Sequence, residues 1–414
     1  MALRKYVTAF AGARDSYQVP LALAQSHQLD CLITDLYLPP LPAVVARLAK
    51  VGRRSVPGLS VLDTRSSPRA LWHSYVRWRL ARNQIGQQLL GLKWTQDILG
   101  RMAGERAARN GCDLFLYAGY ALEAFRDPRL QSVRRILFMY HPHIARSSEI
   151  LIEDASRYPD GQSTITELAA DSHDRDVDRE LEMADAVVCA SEFTASTVRA
   201  IGIDPKKIVI IPYGIDILGD YSPRKSPDTC HFLFVGSGIH RKGLHILFEA
   251  WREARLPQAR LTIVSRYVDP WIRARGDAPG ITIRNGVAPE ELNTLYDDAN
   301  VFVLPSLVEG FGYVYFEALA RGCYCIGTTN TGLPDLHLST EEATIAPAGD
   351  RDALVQALTS AHALWKAGKI DPGRIRRQTS IWSWSRFRAS IADLAFRLEM
   401  PDRSRLAGAP SPPR

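Results

Sequence analysis

The stretch VFVLPSLVEGFGYVYFEALARGCYCIGTTNTGLPDL, residues 301–336, holds the strongest signals for fold and function in the chain. Val301–Leu304 is a short apolar run ended by Pro305, which predicts a buried strand. Phe316–Arg321 predicts a helix that stops at Gly322. A strand that runs through a short loop into a helix is the repeating unit of α/β proteins.

The loop between this strand and this helix predicts a ligand site. Its two glycines, Gly310 and Gly312, let backbone approach a ligand closely. The loop leads into a helix N-terminus, where free amides and the helix dipole favour an anion. Glu309 precedes the turn and Glu317 lies on the first turns of the helix; both can accept hydrogen bonds from hydroxyls but would repel a phosphate aimed at them. The pattern favours a ligand with sugar hydroxyls at both ends and a diphosphate in the middle.

This stretch resembles the signature of the family-4 retaining glycosyltransferases, which have the GT-B architecture. Their motif is two glutamates separated by seven residues, and Glu309 and Glu317 match it within a PS-x-x-EGFG-x-x-x-x-EA-x-A-x-G frame. The resemblance covers most of the chain, more firmly after about residue 184. It implies that Glu309 holds donor-sugar hydroxyls and Glu317 holds ribose hydroxyls. The loop residues implied to contact the donor are Gly310, Phe311, Gly312 and Tyr313. Two acids at this spacing, without the frame, would fit a solvated loop and a helix surface equally well.

A second motif, FLFVGSGIHRKG at residues 232–243, lies at the start of the second half. The pattern predicts a strand, a glycine loop containing Ser237 and Gly238, and a helix starting near Gly243. Arg241 and Lys242 would stand at the helix start, where cations are unfavourable without an anion but would stabilise a leaving diphosphate. Related enzymes have Arg directly after the first glycine and Lys before a later one. Lys242 matches the second position, whereas Ser237 replaces the first, so Arg241 is the candidate substitute.

In the first half, the loop after the first predicted strand begins at Gly12 and carries Arg14 and Asp15. It is a candidate for the cleft wall that faces donor or acceptor; an ordinary surface turn fits as well. His141 ends a strand, and in related enzymes a His near this position hydrogen-bonds the donor sugar. A structural histidine remains an alternative, and His143 competes for the role. Ser191 is interpreted first as a helix cap.

Apolar runs alternate with helical stretches along the whole chain, which predicts doubly wound sheets. The predicted strands of the first half are Lys5–Ala11, Cys31–Tyr37, Asp113–Tyr117, Arg135–His141, Ala186–Ser191 and Lys207–Ile211. Those of the second half are Phe232–Val235, Leu261–Val264, Ile281–Arg284, Val301–Leu304 and Cys323–Gly327. The fold class is therefore α/β, with two Rossmann-like doubly wound domains facing across a cleft. We assign 1–222 to the first domain and 228–384 to the donor-binding second domain. The helix 385–398 is expected to pack back on the first domain, followed by a disordered tail, 399–414.

Length and composition agree with this organisation. A chain of 414 residues with 46% hydrophobic content is too long for one ordinary core. Its six cysteines form no C-x-x-C pair and most lie in strand-like runs, so we expect reduced core thiols rather than disulfides or metal ligands. No D-x-D metal motif lies in the cleft motifs, so we expect neither a catalytic metal nor a cofactor beyond the nucleotide-sugar substrate. The predicted location is the cytoplasm.

The formal charge of +6 is concentrated in residues 43–110, with thirteen basic residues against three acidic ones. Trp72, Tyr75, Trp78 and Trp94 are interleaved with them, and Trp72–Leu92 could form an amphipathic helix. Basic and aromatic residues together suit an anionic membrane surface, here the inner face of the membrane. They also suit nucleic acid, which the cleft motifs do not favour. An ordinary basic helical face is the alternative.

These patterns predict a cleft for a nucleotide-diphospho-sugar. The family resemblance implies a retaining glycosyltransferase that moves the sugar to an acceptor hydroxyl, in glycan, polysaccharide or glycolipid synthesis. Two alternatives remain open. One is a different enzyme of GT-B fold, such as a nucleotide-sugar epimerase or a phosphorylase-like enzyme; the other is a non-catalytic sugar-nucleotide-binding scaffold, suggested by Ser237. The donor base, the sugar and the acceptor are not specified by the sequence.

Overall fold

The computed structural model describes residues 3–38, 55–80, 93–158, 160, 175–217 and 224–398. Its first sheet has seven strands in the order β3-β2-β1-β4-β5-β6-β7, all pairs of which are parallel. The strands are β1 Tyr6–Ala9, β2 Leu29–Thr34, β3 Thr64–Ser66, β4 Asp113–Tyr117, β5 Arg135–Met139, β6 Ala186–Cys189 and β7 Ile208–Ile210.

The second sheet has six parallel strands in the order β10-β9-β8-β11-β12-β13. They are β8 Cys230–Val235, β9 Ala259–Ser265, β10 Ile281–Asn285, β11 Val301–Val303, β12 Tyr324–Thr328 and β13 Ala343–Ala346. Each sheet starts in its middle, winds to one edge and then to the other, as a doubly wound sheet does. The predicted fold class is confirmed.

Helices connect the strands and cover the sheets. In the first half they are α1 Gln18–Gln25, α2 Pro68–Leu80, α3 Lys93–Asn110, α4 Leu122–Phe125, α5 Ile144–Ala155, α6 Arg175–Met183 and α7 Glu192–Ala200. In the second half they are α8 Leu244–Ala254, α9 Pro270–Arg273, α10 Pro289–Asp298, α11 Val314–Ala320, α12 Arg351–Lys366, α13 Pro372–Thr379 and α14 Trp384–Arg397.

Every strand predicted from an apolar run is present, with ends that differ by at most three residues. Two strands were not predicted. β3 is three residues long and mostly exposed. β13 is four residues long, with one partly buried and one exposed position. Both lie at sheet edges, where a strand needs no continuous apolar run.

The last helix, α14, packs against α1 of the first half. The hydroxyl of Tyr6 donates to the Ala395 carbonyl at 3.0 Å, and Arg388 donates to the Gln18 side chain at 2.7 Å. The chain crosses between the halves twice at one place, where the Ile215 amide donates to the Trp382 carbonyl at 2.8 Å. The two crossings therefore lie side by side.

Strand order fixes where a site can form. In each sheet the chain reverses direction between two neighbouring central strands, β1 and β4 in the first and β8 and β11 in the second. Ligands of doubly wound sheets bind at the carboxyl ends of the strands at such switch points. The loops that follow β1, β5, β8 and β11 carry the residues selected from the sequence.

Several predictions fall partly outside the described residues. Of the predicted helix Trp72–Leu92, the structure shows α2 as far as Leu80, and 81–92 lie outside the described ranges. Residues 218–223 between the domains and the predicted tail 399–414 also lie outside them. All six cysteines are buried free thiols, as predicted. Among the described residues, no helix combines the length and apolarity needed to cross a membrane.

Candidate functional site

An ion cluster links the loops after β8 and β11. The Lys242 ammonium donates to Oε2 of Glu309, and Arg241 donates to the same oxygen at 3.2 Å. The Lys242 and Glu309 side chains are only 12% and 11% exposed. Two of the loops selected from sequence thus meet through their charged residues.

Burial and charge act in opposite directions on Glu309. Burial by itself would raise the pKa of its carboxyl, but the charges of Lys242 and Arg241 outweigh burial and lower that pKa. Glu309 is therefore ionised at neutral pH. A buried carboxylate between two cations is held in one orientation, which is what a residue that positions a ligand needs.

The glycines of the loop after β11 are required by close contacts. A Cβ on Gly310 would lie 2.3 Å from the Tyr140 carbonyl oxygen of the first half. Gly312 has a φ of +86°, and a Cβ there would lie 2.8 Å from the Tyr315 ring. The sequence predicted that these glycines let a ligand approach the backbone. The structure shows that they let the loop pack closely against neighbouring protein atoms.

The same loop is fixed to the first half by hydroxyl groups. Ser191 and Thr194 donate to the Gly310 carbonyl at 2.5 and 3.0 Å. Ser191 also caps α7 by accepting from the Thr194 amide, so its predicted capping role is confirmed. The two halves are therefore in contact immediately beside Glu309.

His141 lies two residues past the end of β5 and is exposed to solvent. The pKa of His141 is lowered to about 4. The main cause is desolvation of the ring by the surrounding protein, and the positive charges of Arg14 and Arg241 lower the pKa further. Glu309 and Lys242 also act on the ring, so His141 is a neighbour of the ion cluster. At neutral pH it is an uncharged imidazole that can donate or accept a hydrogen bond.

His143, the competing histidine, is held in the protein interior. It is 4% exposed, and its Nε2 lies 2.7 Å from Asp178 Oδ1. Its backbone amide donates to Thr197 Oγ1 at 2.9 Å. The geometry therefore favours His141 over His143 as the residue that meets a ligand.

Glu317 lies in a different environment from Glu309. The Tyr296 hydroxyl donates to its Oε2 at 2.9 Å, and burial raises the pKa of the Glu317 carboxyl. It lines a cavity of about 310 Å³ with residues of α10 and of the interdomain crossing. Other lining residues are Asp216, Leu292, Asn293, Arg321 and Arg376. The two glutamates thus lie in different surroundings: Glu309 is paired with cations, whereas Glu317 lines this cavity.

The remaining residues of the two predicted donor loops differ in what they can offer a ligand. Ser237 is exposed. Gly238 is buried under the loop after β9, where a Cβ would lie 2.7 Å from Val268. Phe311 is 3% exposed and packs on Tyr213, with ring centroids 5.4 Å apart. Tyr313 stacks on Trp384 at 5.9 Å. Gly238 and Phe311 shape the loops, and of this group Ser237 is the most open to solvent.

The loop after β1 has an unusual backbone. Gly12 has a φ of +81° and its amide donates to Asp35 at 2.8 Å, while Asp15 is the first of three consecutive residues with φ between +47° and +63°. Left-handed conformations cost such residues roughly 1–2 kcal/mol each. The Arg14 guanidinium lies 3.7 Å from the centroid of the Tyr140 ring. Burial raises the pKa of Asp15, although Arg14 favours its charged form.

Two contacts between the halves have no counterpart in the sequence predictions. Asp154 of α5 lies within hydrogen-bond distance of His240 and His245 in the second half. The Asp335 carboxylate accepts a hydrogen bond from the Glu192 backbone amide at 3.1 Å. The pKa of Asp335 is raised to about 7, mainly by burial and to a smaller extent by the negative charge of Glu192. The partners are 86 to 143 residues apart, so no local pattern could reveal them.

The Asp154 cluster is the group of potential metal ligands found among the described residues. The three ligand atoms lie within 4.8 Å of one another and all three residues are buried. It was not selected from the sequence.

The basic stretch at residues 43–110 is described in part. Arg47, Lys50, Arg53, Arg54 and Arg82 lie outside the described residues. Lys93 pairs with Asp97 and Asp176, Arg106 pairs with Asp30, and Arg101 with Glu123, so part of the positive charge is neutralised locally. Large apolar side chains are nevertheless exposed in this region: Leu62 (94%), Trp72 (66%), Tyr75 (47%) and Trp94 (48%).

Family models match both halves of the chain. The model described as "Glycosyl transferases group 1" matches residues 229–363, and the model described as "Glycosyltransferase Family 4" matches residues 98–217. Together the two matches cover more than half of the chain.

Curated relatives carry names from polysaccharide and glycolipid synthesis. A putative colanic acid biosynthesis glycosyltransferase, WcaL, of Escherichia coli is 27% identical over 42% of this chain and 47% of its own length. A GDP-mannose-dependent alpha-(1-6)-phosphatidylinositol monomannoside mannosyltransferase of Mycolicibacterium smegmatis is 31% identical over 29% of this chain and 35% of its own length. The chain spans about half the length or less of these relatives.

Solved structures match over nearly the full length. Sucrose-phosphate synthase from Thermosynechococcus elongatus superposes with a TM-score of 0.59 at 18% identity, covering 95% of this chain and 99% of that one. The lipopolysaccharide outer core galactosyltransferase WaaB has a TM-score of 0.59 at 13% identity, covering 95% and 100%. These likenesses establish the GT-B fold. The chain belongs to the group 1, family-4 glycosyltransferases.

Proposed function

We propose that this protein is a retaining glycosyltransferase that moves a sugar from a nucleotide-diphospho-sugar to an acceptor hydroxyl. The observation that carries the proposal is the convergence of Glu309, Lys242, Arg241 and His141 where the loops after β5, β8 and β11 meet. These side chains combine hydroxyl acceptors with cations, which is the chemistry that a diphospho-sugar needs.

The diphosphate would bind at Lys242 and Arg241. Both residues directly precede α8, whose N-terminus adds partial positive charge. Without donor, Glu309 neutralises the two cations. A diphosphate gains negative charge as the bond to the sugar breaks, so the cations would bind the transition state more tightly than the substrate. They supply the positive charge at this position, and we propose no catalytic metal ion there.

The sugar would lie between Glu309 and His141. A carboxylate accepts hydrogen bonds from sugar hydroxyls, and a neutral imidazole can donate a hydrogen bond to a further hydroxyl or accept one from it. The Glu309 carboxylate already accepts hydrogen bonds from Arg241 and Lys242. We therefore assign Glu309 to positioning the sugar rather than to nucleophilic attack on the anomeric carbon. As the bond between the anomeric carbon and the diphosphate breaks, the acceptor oxygen would bond to that carbon on the same face and pass its proton to the leaving diphosphate. Bond formation on the face of departure retains the anomeric configuration.

The nucleoside would occupy the cavity beside Glu317. Its volume of about 310 Å³ suits a ribose with part of a base. The Glu317 carboxyl, one oxygen of which already accepts from Tyr296, can accept from ribose hydroxyls through the other. Asp216, Asn293, Arg321 and Arg376 also line this cavity and place polar groups beside a base or a ribose.

The acceptor would enter from the first half. A cavity of about 190 Å³ is lined by Tyr140, His141 and Ile144, and a second of about 350 Å³ shares Gln96, Gly119 and Ile144 with it. Relatives are named for colanic acid and phosphatidylinositol mannoside synthesis, so we propose a polysaccharide intermediate or glycolipid as acceptor. The exposed Trp72, Tyr75 and Trp94 would then rest on an anionic membrane that carries it.

Calorimetric binding of UDP, GDP and ADP, followed by transfer from the corresponding nucleotide-sugars, tests the proposal. We expect one nucleoside diphosphate to bind and its sugar conjugate to be consumed only when a glycolipid or glycan acceptor is present. Isomerisation of the free donor would identify an epimerase instead. Binding without any turnover across a broad acceptor panel would favour a non-catalytic scaffold.

A further inference from the structure

The last turn of α5, in the first half, contacts both the loop that precedes α8 and the first turn of α8 in the second half. Asp154 Oδ2 lies 2.7 Å from Nε2 of His240 and 2.9 Å from Nε2 of His245. Asp154 is 4% exposed, His240 1% and His245 fully buried. One carboxylate oxygen therefore holds two imidazoles from the other half of the molecule.

The two histidines bracket the cations of the proposed diphosphate site. Arg241 and Lys242 lie between His240 and His245 in the sequence. On the opposite side, the Arg241 carbonyl accepts from the Leu307 amide at 2.8 Å, and a Cβ on Gly243 would lie 2.0 Å from the Pro305 carbonyl oxygen. The segment is therefore held from one side by the loop after β11 and from the other by Asp154.

Aromatic side chains enclose the cluster. The Tyr158 ring lies 4.6 Å from that of His245, and the Trp271 ring lies 5.2 Å from His245 and 5.8 Å from His240. The Tyr158 hydroxyl also hydrogen-bonds Glu249 of α8 at 3.2 Å. Hydrogen bonds to a carboxylate are stronger in such apolar surroundings than in water.

The distances indicate hydrogen bonds rather than a vacant metal site. Two ligands of a tetrahedral zinc ion with bonds of about 2.0–2.1 Å lie roughly 3.3 Å apart, and both contacts here are shorter. In the described part of the protein, Nδ1 of neither histidine has a partner, whereas a metal-bound imidazole usually donates its second N–H.

We propose that Asp154 is a positioning residue, which sets Arg241 and Lys242 against the diphosphate from the opposite half of the molecule. The inference rests on the proposed function. It also makes the arrangement of the cations depend on contact between the halves, because α5 belongs to one and the loop to the other. Asp154 itself touches no substrate in this proposal.

The test compares nucleoside-diphosphate binding and transfer by the full chain and its variants. Asp154→Asn keeps the shape but removes the charge. We expect it to weaken diphosphate binding and transfer by about ten- to a hundredfold, the cost of a misplaced catalytic group. Asp113→Asn is the matched control. It also alters a buried carboxylate of the first half, paired with Arg4 at the opposite end of β4 from the cleft, and should leave diphosphate binding unchanged.

Non-additivity separates positioning from a general loss of stability. If Asp154 acts through Arg241 and Lys242, then adding Asp154→Asn to a variant that carries both Arg241→Ala and Lys242→Ala should lower binding by less than about twofold further. A purely structural role would give additive losses. His240→Phe keeps a ring but removes the donor and should weaken binding, whereas His240→Gln can still donate and should restore most of it.

Wild-type protein that binds none of UDP, GDP and ADP would overturn the proposed function and this inference together. Wild-type protein that binds one of them, with Asp154→Asn binding equally well, would overturn this inference alone. Stoichiometric zinc in the purified wild-type protein that Asp154→Asn lacks would replace the positioning role with a metal site.

Discussion

Lys242 and Glu309 form an ion pair inside the cleft, with Arg241 donating to the same carboxylate oxygen. The cations proposed for the diphosphate are thus held in place before any diphosphate arrives. A preformed arrangement avoids the cost of reorganising charges during the reaction. It also means that neither residue can be altered without leaving its partner poorly compensated in a buried position.

Lys242→Ala should lower the transfer rate by on the order of a hundred- to a thousandfold, the usual effect of one charge-stabilising group. It should also lower the free energy of unfolding by a few kcal/mol, because Glu309 stays buried with Arg241 as its remaining cation. Steady-state transfer kinetics and urea unfolding measure the two effects.

The double variant Lys242→Ala with Glu309→Gln separates stability from catalysis. Removing both charges should recover part of the lost stability, since no uncompensated carboxylate remains. Transfer should stay as low as in the single variants. Recovery of activity along with stability would contradict the assignment of these residues to the site.

His141 should not titrate near neutral pH. Its pKa is lowered to about 4, so the ring is neutral at pH 7 and gains a proton only in stronger acid. We expect the His141 contribution to transfer to stay constant between pH 8 and about 5.5. An inflection near pH 6.5 that His141→Gln removes would contradict the lowered pKa.

The sequence predicted the elements that depend on local patterns. Apolar runs such as Val301–Val303 are fully buried central strands, and the glycine loop after them could be identified because only a few residue types fit it. The pairing of Lys242 with Glu309 could not be read from their positions, which are 67 residues apart. The Asp154 cluster joins residues of α5, of the loop before α8 and of α8 itself, which are 86 and 91 residues apart. Such contacts are set by tertiary packing, which a single sequence does not display.

Asp335 should make stability fall with rising pH. Its pKa is raised to about 7 in the folded protein, above about 4 in an unfolded chain. Between these values the folded state binds more protons, so each increase in pH lowers the free energy of unfolding. At pH 8, Asp335→Asn should therefore raise the free energy of unfolding by roughly 1–2 kcal/mol, a range that allows for the partial exposure of the carboxyl.

Unfolding measured at pH 5 and pH 8 checks the effect. The gain from Asp335→Asn should shrink towards pH 5, and Glu192→Gln, which removes a nearby negative charge, should give a smaller gain of the same sign. Equal stability of wild type and Asp335→Asn at both pH values would show that the contact with the Glu192 amide compensates the carboxylate fully.

The exposed aromatic face of α2 and α3 should bind anionic vesicles. Trp72, Tyr75 and Trp94 are exposed, as are the basic residues Arg65 and Arg69 of the same stretch of sequence. Co-sedimentation should require anionic lipid and weaken with salt, because screening shortens the reach of the basic charges. Trp72→Ser with Trp94→Ser should reduce binding without affecting nucleoside-diphosphate affinity. Equal recovery on neutral and anionic vesicles would show that electrostatic attraction to anionic lipid makes no contribution to binding by this surface.

Gly310→Ala should separate the loop after β11 from the first half. Its Cβ would lie 2.3 Å from the Tyr140 carbonyl oxygen, so the loop must move and the hydroxyl donors Ser191 and Thr194 must lose the Gly310 carbonyl. Overpacking of this kind typically costs about 1–3 kcal/mol. Because Glu309 adjoins Gly310, we also expect transfer to fall by about tenfold or more.

Small-angle scattering and kinetics together test this contact. Gly310→Ala should have a larger radius of gyration than wild type without ligand. Ser191→Ala with Thr194→Val removes the hydrogen bonds without adding a clash, and should give a smaller change in the same direction. A Gly310→Ala protein with wild-type radius and wild-type kinetics would mean that the loop does not depend on the first half for its position. The contact beside Glu309 would then have no part in shaping the site.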